Sequence, residues 1–130
     1  MNNILKKIKH VYNVTHSTIR EKIKSRSRSP QWDNVREEFL KSNPSCLACG
    51  SSTRLQVHHV KPFHTYPEFE LDQMNLVSLC MSEHDCHLYI GHGGNFKCWN
   101  PNVVENALTV KRDPTQRQFV EKNIKENRKK

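Results

Sequence analysis

Two pairs of cysteines have the spacing of a structural zinc site. Cys46 and Cys49 form a CxxC pair followed by Gly50, which permits the tight turn that lets both sulfurs face one ion. Cys80 and Cys86 supply a second pair, and four thiolates are the ligand set of a tetrahedral structural Zn²⁺. The sequence therefore predicts that these four cysteines bind zinc.

The second cysteine pair leaves the ligand set open. Five residues separate Cys80 from Cys86, where a compact knuckle has two, and His84 within that stretch could replace one cysteine as the partner of Cys80. A third interpretation is that these residues bind no zinc. Cys98 is left over and is expected to be a half-buried free thiol, because the chain shows no export signal that would favour disulfides.

Histidines occur next to the same segments. His58 and His59 are adjacent, His87 directly follows Cys86, and His92 lies five residues further on. A neutral imidazole near pH 7 can act as a general base or bind a divalent metal. A histidine pair alone is more often structural, so these residues become catalytic candidates only together with the blocks around them. Three other histidines are expected to be surface residues without a catalytic role: His10, His64 and His84.

The elements that must position these side chains are short. Residues 55–60 and 75–79 are β-rich runs, separated by a proline- and aromatic-containing loop. A short helix is expected over about residues 86–90. An earlier helix begins with Ser29 as cap and Pro30 in its first turn, and it ends at Asn43. Two later helices begin with a cap residue and a proline, at Asn100-Pro101 and Asp113-Pro114.

Charge is unevenly distributed along the chain. The formal net charge is +8, with eight basic residues against one acidic in 1–30, five against nine in 31–110, and eight against three in 111–130. Basic ends around an acidic centre are typical of a polyanion-binding enzyme that contacts phosphate with its tails and holds cations at its centre. The alternative is that basic ends only keep a small protein soluble.

Residues 1–29 form a basic segment of their own. Its isoleucines recur at helical spacing, interrupted around Asn13, which is compatible with the second half of a helix-turn-helix or with a plain basic amphipathic helix. Residues 25–29 (SRSRS) are expected to be a flexible basic linker. No apolar run approaches the ~18–20 residues of a membrane span, and no cleavable leader is evident. We therefore expect a protein that is not secreted and that acts in the cytoplasm.

Three blocks of the sequence resemble a known family. VHHVKP, NLVSLC and CHLYIGH resemble the blocks of the HNH nucleases in this order, and GHGGNFKCWNPNV resembles the extension of phage-type members. The resemblance covers about residues 30–105 and implies an α+β fold with a small ββα-metal core, often braced by a cysteine-bound zinc. It predicts an HNH nuclease domain over residues 30–110, flanked by the basic segment 1–29 and a basic C-terminal helix or tail over residues 111–130.

The resemblance also implies roles for individual residues. His59 would be the general base, and Asn75 would hold the loop that bears this base. His58 and His87 would bind the catalytic divalent metal, which could be Mg²⁺, Mn²⁺ or Ni²⁺. The position four residues after His87, where some members have a third histidine ligand, is a glycine. His92 is therefore a candidate for that ligand or for a phosphate contact.

These roles imply an endonuclease that hydrolyses DNA phosphodiester bonds. One such site cuts one strand, so a monomer would nick DNA, whereas a homodimer could cut both strands. The phage-type resemblance implies a phage or mobile element and action in the host cytoplasm. The alternatives are a zinc-stabilised DNA-binding module without activity, and a nuclease for RNA or structured nucleic acid. The basic candidates for DNA contacts are Arg20, Lys22, Lys24, Arg26, Arg28, Lys61 and Lys97.

Overall fold

The computed structural model describes residues 27–130 and contains a small α+β domain, as the sequence predicts. Its two strands form one antiparallel sheet. The main elements are α1 (Trp32–Ser42), β1 (Leu55–His59), β2 (Leu76–Cys80), a π-helical turn (His87–Gly91), α2 (Val103–Arg112) and α3 (Arg117–Asn127). Single 3-10 turns lie at Pro67–Phe69, Gln73–Asn75 and Pro114–Gln116.

The first helix, α1, ends at Asn43 as predicted, but it begins two residues later than a Ser29 cap would place it, because its N-cap is Gln31. The Ser29 hydroxyl accepts a hydrogen bond from the Gln31 N–H at 3.2 Å, and the Asn43 side chain donates to the Phe39 carbonyl at 3.0 Å. Phe39 is the buried residue of its apolar face, while Trp32 is partly exposed. Because α1 packs against β1, its first residue reaches the end of that strand.

The β1–β2 hairpin fixes the position of the adjacent histidines. In its register Leu55 lies opposite Cys80, and His59 lies opposite Leu76. Every residue of β2 is buried, so this strand forms the centre of the core. The pairing places the histidine pair at the end of β1 and the first residue of the second cysteine pair at the opposite end of the hairpin.

The helices α2 and α3 pack against the π-helical turn and against each other. Asp113 begins the connection between them, because its carboxylate accepts a hydrogen bond from the Thr115 N–H at 3.1 Å. Val120 and Ile124 of α3 belong to the same buried cluster as Leu79 of β2. The packed domain therefore continues past residue 110, where the sequence analysis places its end, because the basic helix α3 has an apolar face that completes the core.

Residues 1–26 lie outside the described range of 27–130. The helix-turn-helix alternative and His10 fall there, as do four of the basic candidates for DNA contacts: Arg20, Lys22, Lys24 and Arg26. Within the described range, none of the helices has the length and apolar character that crossing a membrane requires.

Candidate functional site

The four predicted zinc ligands converge on one point of the fold. The sulfurs of Cys46, Cys49, Cys80 and Cys86 all lie within 4.8 Å of one another, and we call this group the cysteine cluster. The Cys49 and Cys80 sulfurs are 3.5 Å apart, near the ~3.8 Å expected for two thiolates that are each about 2.3 Å from a tetrahedral Zn²⁺. The cluster could therefore hold a structural metal such as zinc.

The CxxC turn forms for the reason that its sequence indicates. Gly50 adopts φ +78°, and its N–H donates to the Cys46 carbonyl at 2.9 Å, which closes the turn between the two sulfurs. His84, the alternative ligand, is exposed and does not belong to the cluster, whereas Cys86 is buried within it. The geometry thus favours four cysteines over the pair of Cys80 with His84.

The electrostatics of the cysteine cluster also suit a cation. A hydrogen bond from the Cys86 thiol, assisted by backbone N–H groups, lowers the pKa of Cys46 to about 4. Burial, together with the neighbouring sulfurs, raises the pKa of Cys49 to about 11. The four thiols cannot all ionise side by side at neutral pH without a positive ion to compensate their charge.

Three histidines form a second group at the opposite end of the hairpin. His58, His87 and His92 each offer a ring nitrogen within 4.8 Å of the others, and we call this group the histidine cluster. The Nε2 atoms of His87 and His92 are 3.3 Å apart. Two nitrogens that are each about 2.1 Å from one metal ion lie roughly 3.0–3.4 Å apart in octahedral or tetrahedral geometry, so the spacing fits a shared cation.

The π-helical turn explains how His92 reaches this cluster. In an α-helix the residue four positions after His87 would return to the same face, and that residue is Gly91. A π-helical turn contains one additional residue, so His92, five positions after His87, occupies that face instead. The Nδ1–H of His92 then donates to the Cys98 carbonyl at 2.7 Å, which leaves its Nε2 lone pair available.

Gly91 leaves room for the His58 ring. A Cβ at this position would lie 3.0 Å from His58 Cε1 and 3.1 Å from His58 Nδ1. We expect Gly91→Ala to displace that ring and to destabilise the domain by about 1–3 kcal/mol. Urea unfolding measures the stability loss, and the NMR shifts of the His58 ring report its displacement.

The matched control for this prediction is Gly50→Ala. A Cβ at Gly50 would meet nothing within 4 Å, so the cost there comes from the left-handed backbone alone. This variant should leave the His58 resonances in place. Unchanged stability and unchanged His58 shifts in Gly91→Ala would contradict the close contact.

The ring nitrogens of the histidine cluster have the character of metal ligands. Burial lowers the pKa of His58 well below its usual value and lowers that of His87 to about 4, so both imidazoles are neutral at pH 7. The Nε2 atom of His58 and the Nδ1 atom of His87 are buried without a hydrogen-bond partner. Since buried polar atoms usually have a partner, the unpartnered Nε2 of His58 supports a bound ion at this cluster, which His87 faces with its other ring nitrogen, Nε2.

His59 points to a different set of neighbours from His58. Its ring stacks on Trp32 with centroids 4.6 Å apart, and its Nε2 lies 3.0 Å from the backbone carbonyl of Glu70. A carbonyl can only accept, so the neutral ring carries its proton on Nε2 and keeps a free lone pair on Nδ1. Burial lowers the pKa of His59, which keeps the ring neutral at pH 7.

Asn75 joins the two sides of the loop that follows β1. Its side-chain oxygen accepts from the Lys61 N–H at 2.8 Å, and its amide donates to the carbonyls of Lys61 and Phe69 at 3.1 and 3.2 Å. Phe69 immediately precedes Glu70, whose carbonyl holds the His59 ring. The structure therefore gives Asn75 contacts that orient His59 indirectly.

A cleft of about 320 Å³ brings both histidine groups together. Arg28 also lines it, with its guanidinium 5.1 Å from the Trp32 ring centroid and 4.5 Å from that of Phe63. Among the described residues that line this cleft, none is a carboxylate. Neutral imidazoles beside one fixed cation make the cleft suitable for an anionic group.

The two remaining basic candidates for DNA contacts lie outside this cleft. Lys61 places its Nζ over the Tyr66 ring at 5.0 Å, and Lys97 is exposed on the loop after His92; neither lines the cleft. Sequence reasoning missed Glu70, whose buried side chain binds Arg28 at 3.4 Å. A lone glutamate in a loop carries no local pattern that could identify it.

Comparison of the chain with protein families, with curated proteins and with solved structures finds no match. The geometry of the two clusters and of the cleft is therefore the basis for a functional assignment.

Proposed function

We propose that this protein is a divalent-metal-dependent endonuclease of the HNH type that hydrolyses DNA phosphodiester bonds. One observation carries the proposal: a neutral histidine with an unused Nδ1 lone pair lines the same cleft as three histidines that fit a metal ion. His59 provides the first of these features, and the histidine cluster provides the second. Hydrolysis of a phosphodiester needs a base for water and a cation for the phosphate, which are these two features.

The reaction uses His59 as the base. Its Nδ1 accepts a proton from water as the water oxygen forms a bond to phosphorus. The resulting imidazolium keeps its Nε2–H on the Glu70 carbonyl, which stabilises the positive ring and fixes its orientation. The bond from phosphorus to the 3′ oxygen breaks, and the leaving oxygen takes a proton from water, so the products are a 5′-phosphate and a 3′-hydroxyl.

The histidine cluster would hold the catalytic cation through His58, His87 and His92. The bound ion would supply charge neutralisation at the phosphate and at the departing 3′ oxygen. Arg28, which lines the same cleft, contributes a second positive group. The buried Glu70 carboxylate and the Trp32 and Phe63 rings already restrict the position of the Arg28 side chain. Binding of a phosphate therefore costs little additional side-chain entropy.

Cleavage of supercoiled plasmid tests the proposal. The zinc-loaded protein is assayed first without any other divalent metal, and Mg²⁺, Mn²⁺ or Ni²⁺ is then added. We expect nicked circles to form before linear DNA, because one site of this kind cuts one strand. No cleavage with any of these metals by folded protein would contradict the proposal, and linear product without a nicked precursor from a proven monomer would contradict the single-site mechanism.

The contribution of His92 is tested separately. We expect His92→Ala to raise the metal concentration needed for half-maximal cleavage at least ~10-fold, because it removes a ligand of the cluster. Added metal should restore part of the rate. The control is His64→Ala, since His64 lines the same cleft but is exposed and does not belong to the cluster. Equal metal requirements for both variants would exclude His92 as a ligand.

A zinc-stabilised DNA-binding module without activity is distinguished by the same assays. Such a module would need the cysteine cluster and a basic surface, but not three histidines that converge on one point. Its DNA binding would survive without Mg²⁺ and would be indifferent to His92→Ala. Relative cleavage of duplex DNA, single strands and RNA then distinguishes the substrate classes.

A further inference from the structure

Arg117, the first residue of α3, lies against the cysteine cluster. Its Nη1 donates to the Cys86 sulfur at 3.3 Å, and its Nη2 donates to the His84 carbonyl at 2.8 Å. Its Nε contacts the Glu121 carboxylate at 2.7 Å, and the Arg117 side chain is only 17% exposed. All three guanidinium nitrogens are thus directed to fixed partners, one of which is a predicted metal ligand.

A cation at this position suits a metal bound by four thiolates. Four thiolates and one Zn²⁺ leave a net charge of about −2, which is costly to bury unless donors compensate it. The guanidinium supplies both a positive charge and a directed hydrogen bond to one sulfur. A structural ion pair with Glu121 alone would not require the contact to Cys86.

We propose that Arg117 is a positioning residue of the cysteine cluster. Its guanidinium holds the Cys86 sulfur toward the metal and attaches the start of α3 to the cluster. This assignment is independent of nuclease activity. It concerns the zinc affinity of the cluster and the docking of the last helix on the domain.

The C-terminal end of α3 contacts the loop that follows His92. Arg128, directly after the helix, donates through Nη1 to the Gly93 carbonyl, and Ile124 packs on the same glycine. Lys129 pairs with Trp99 through two backbone hydrogen bonds of 2.8 and 2.9 Å. Since Gly93 directly follows His92, α3 connects the cysteine cluster with the loop that carries a histidine of the second cluster.

Zinc competition against a chromogenic chelator tests this assignment on the full chain. We expect Arg117→Gln to bind zinc about 10–100-fold more weakly than the wild type. Arg117→Lys should fall between the two, because one ammonium group keeps the charge but cannot maintain three directed contacts. The matched control is Lys122→Gln, which removes a positive charge from an exposed position on the same helix and should leave zinc affinity unchanged.

A second readout separates positioning from general stability. Co²⁺ replaces Zn²⁺ in thiolate sites, and its sulfur-to-metal absorption bands should shift in Arg117→Lys, which keeps the charge needed for folding. We also expect faster amide exchange in α3 of the Co²⁺-loaded variant, with β1 and β2 unchanged. Wild-type zinc affinity in both Arg117→Gln and Arg117→Lys would overturn the assignment; if Arg117→Gln does not fold, wild-type affinity and an unshifted spectrum in Arg117→Lys would overturn it.

Discussion

Replacing His59 by alanine is expected to lower metal-dependent DNA cleavage by about 10²–10⁴-fold, which is the usual contribution of a general base. The neutral ring, the Nε2–H held by the Glu70 carbonyl and the unused Nδ1 lone pair together suit it to accept a proton from water. Single-turnover cleavage of plasmid at saturating metal measures this rate. DNA affinity, measured by fluorescence anisotropy, should change little.

His59→Gln is the matched variant for this prediction. A glutamine amide can still donate to the Glu70 carbonyl and can still pack beside Trp32, but it has no basic nitrogen. We therefore expect this variant to fold as stably as the wild type and to be as inactive as His59→Ala. Retained activity in a stable His59→Gln protein would show that another group activates the water.

The metal dependence distinguishes His59 from the histidine cluster. Loss of a ligand such as His92 is partly compensated by a higher metal concentration, because the defect lies in binding. Loss of the base is not compensated, because the ion cannot replace the missing proton acceptor. If excess Mn²⁺ restored cleavage by His59→Ala, His59 would be a metal ligand rather than the base.

Short-range signals were sufficient to predict most of the elements and the four cysteines. The strands predicted at 55–60 and 75–79 form as β1 and β2, and the mostly apolar residues of β2 are buried along its whole length. Asp113 caps its helical segment as predicted, since a capping side chain acts within a few residues. Ser29 and Asn100 do not cap α1 and α2, which begin two residues later than predicted, after Gln31 and Asn102. The sequence leaves open whether Cys86 or His84 binds the metal together with Cys80. The structure favours Cys86, because Cys86 is buried and His84 is exposed.

The parts of the site that the sequence could not predict depend on contacts between distant segments. Glu70 holds His59 through a backbone carbonyl, an interaction that no side-chain pattern records. His92 falls out of α-helical register with His87 and reaches it only through a π-helical turn. Arg117 lies 31 residues from Cys86, and its position follows from the packing of α3 on the core. Each of these depends on tertiary packing rather than on local spacing.

Removal of zinc from the cysteine cluster is expected to unfold the domain. Hydrophobic residues make up only 35% of the chain, and the cluster joins the loop before β1 to the end of β2. In small zinc-binding peptides the apparent metal-binding free energy is about 10–16 kcal/mol, which is as large as the roughly 5–15 kcal/mol of net stability of a whole domain. Circular dichroism after treatment with a strong chelator measures the loss of structure, and added Zn²⁺ should restore it.

Two cysteine variants separate the metal effect from the loss of a buried thiol. Cys49→Ser removes a member of the cluster and should lower both the zinc content and the urea midpoint. Cys98→Ser changes a thiol that is only 5% exposed but is not in the cluster, so it should keep one zinc and lose about 1–3 kcal/mol. The measurements are zinc per chain by mass spectrometry and the free energy of unfolding.

The dependence on pH gives an independent check of the same prediction. Thiolates bind metal only when deprotonated, so protons compete with zinc, and metal-linked stability must fall as the pH is lowered. Cys49→Ser, without a complete ligand set, should lack this component, whereas Cys98→Ser should retain it. A wild-type domain that stays folded in chelator, with the same pH profile as Cys49→Ser, would show that packing of α2 and α3 on the hairpin is sufficient and that the cysteine cluster is not a structural zinc site.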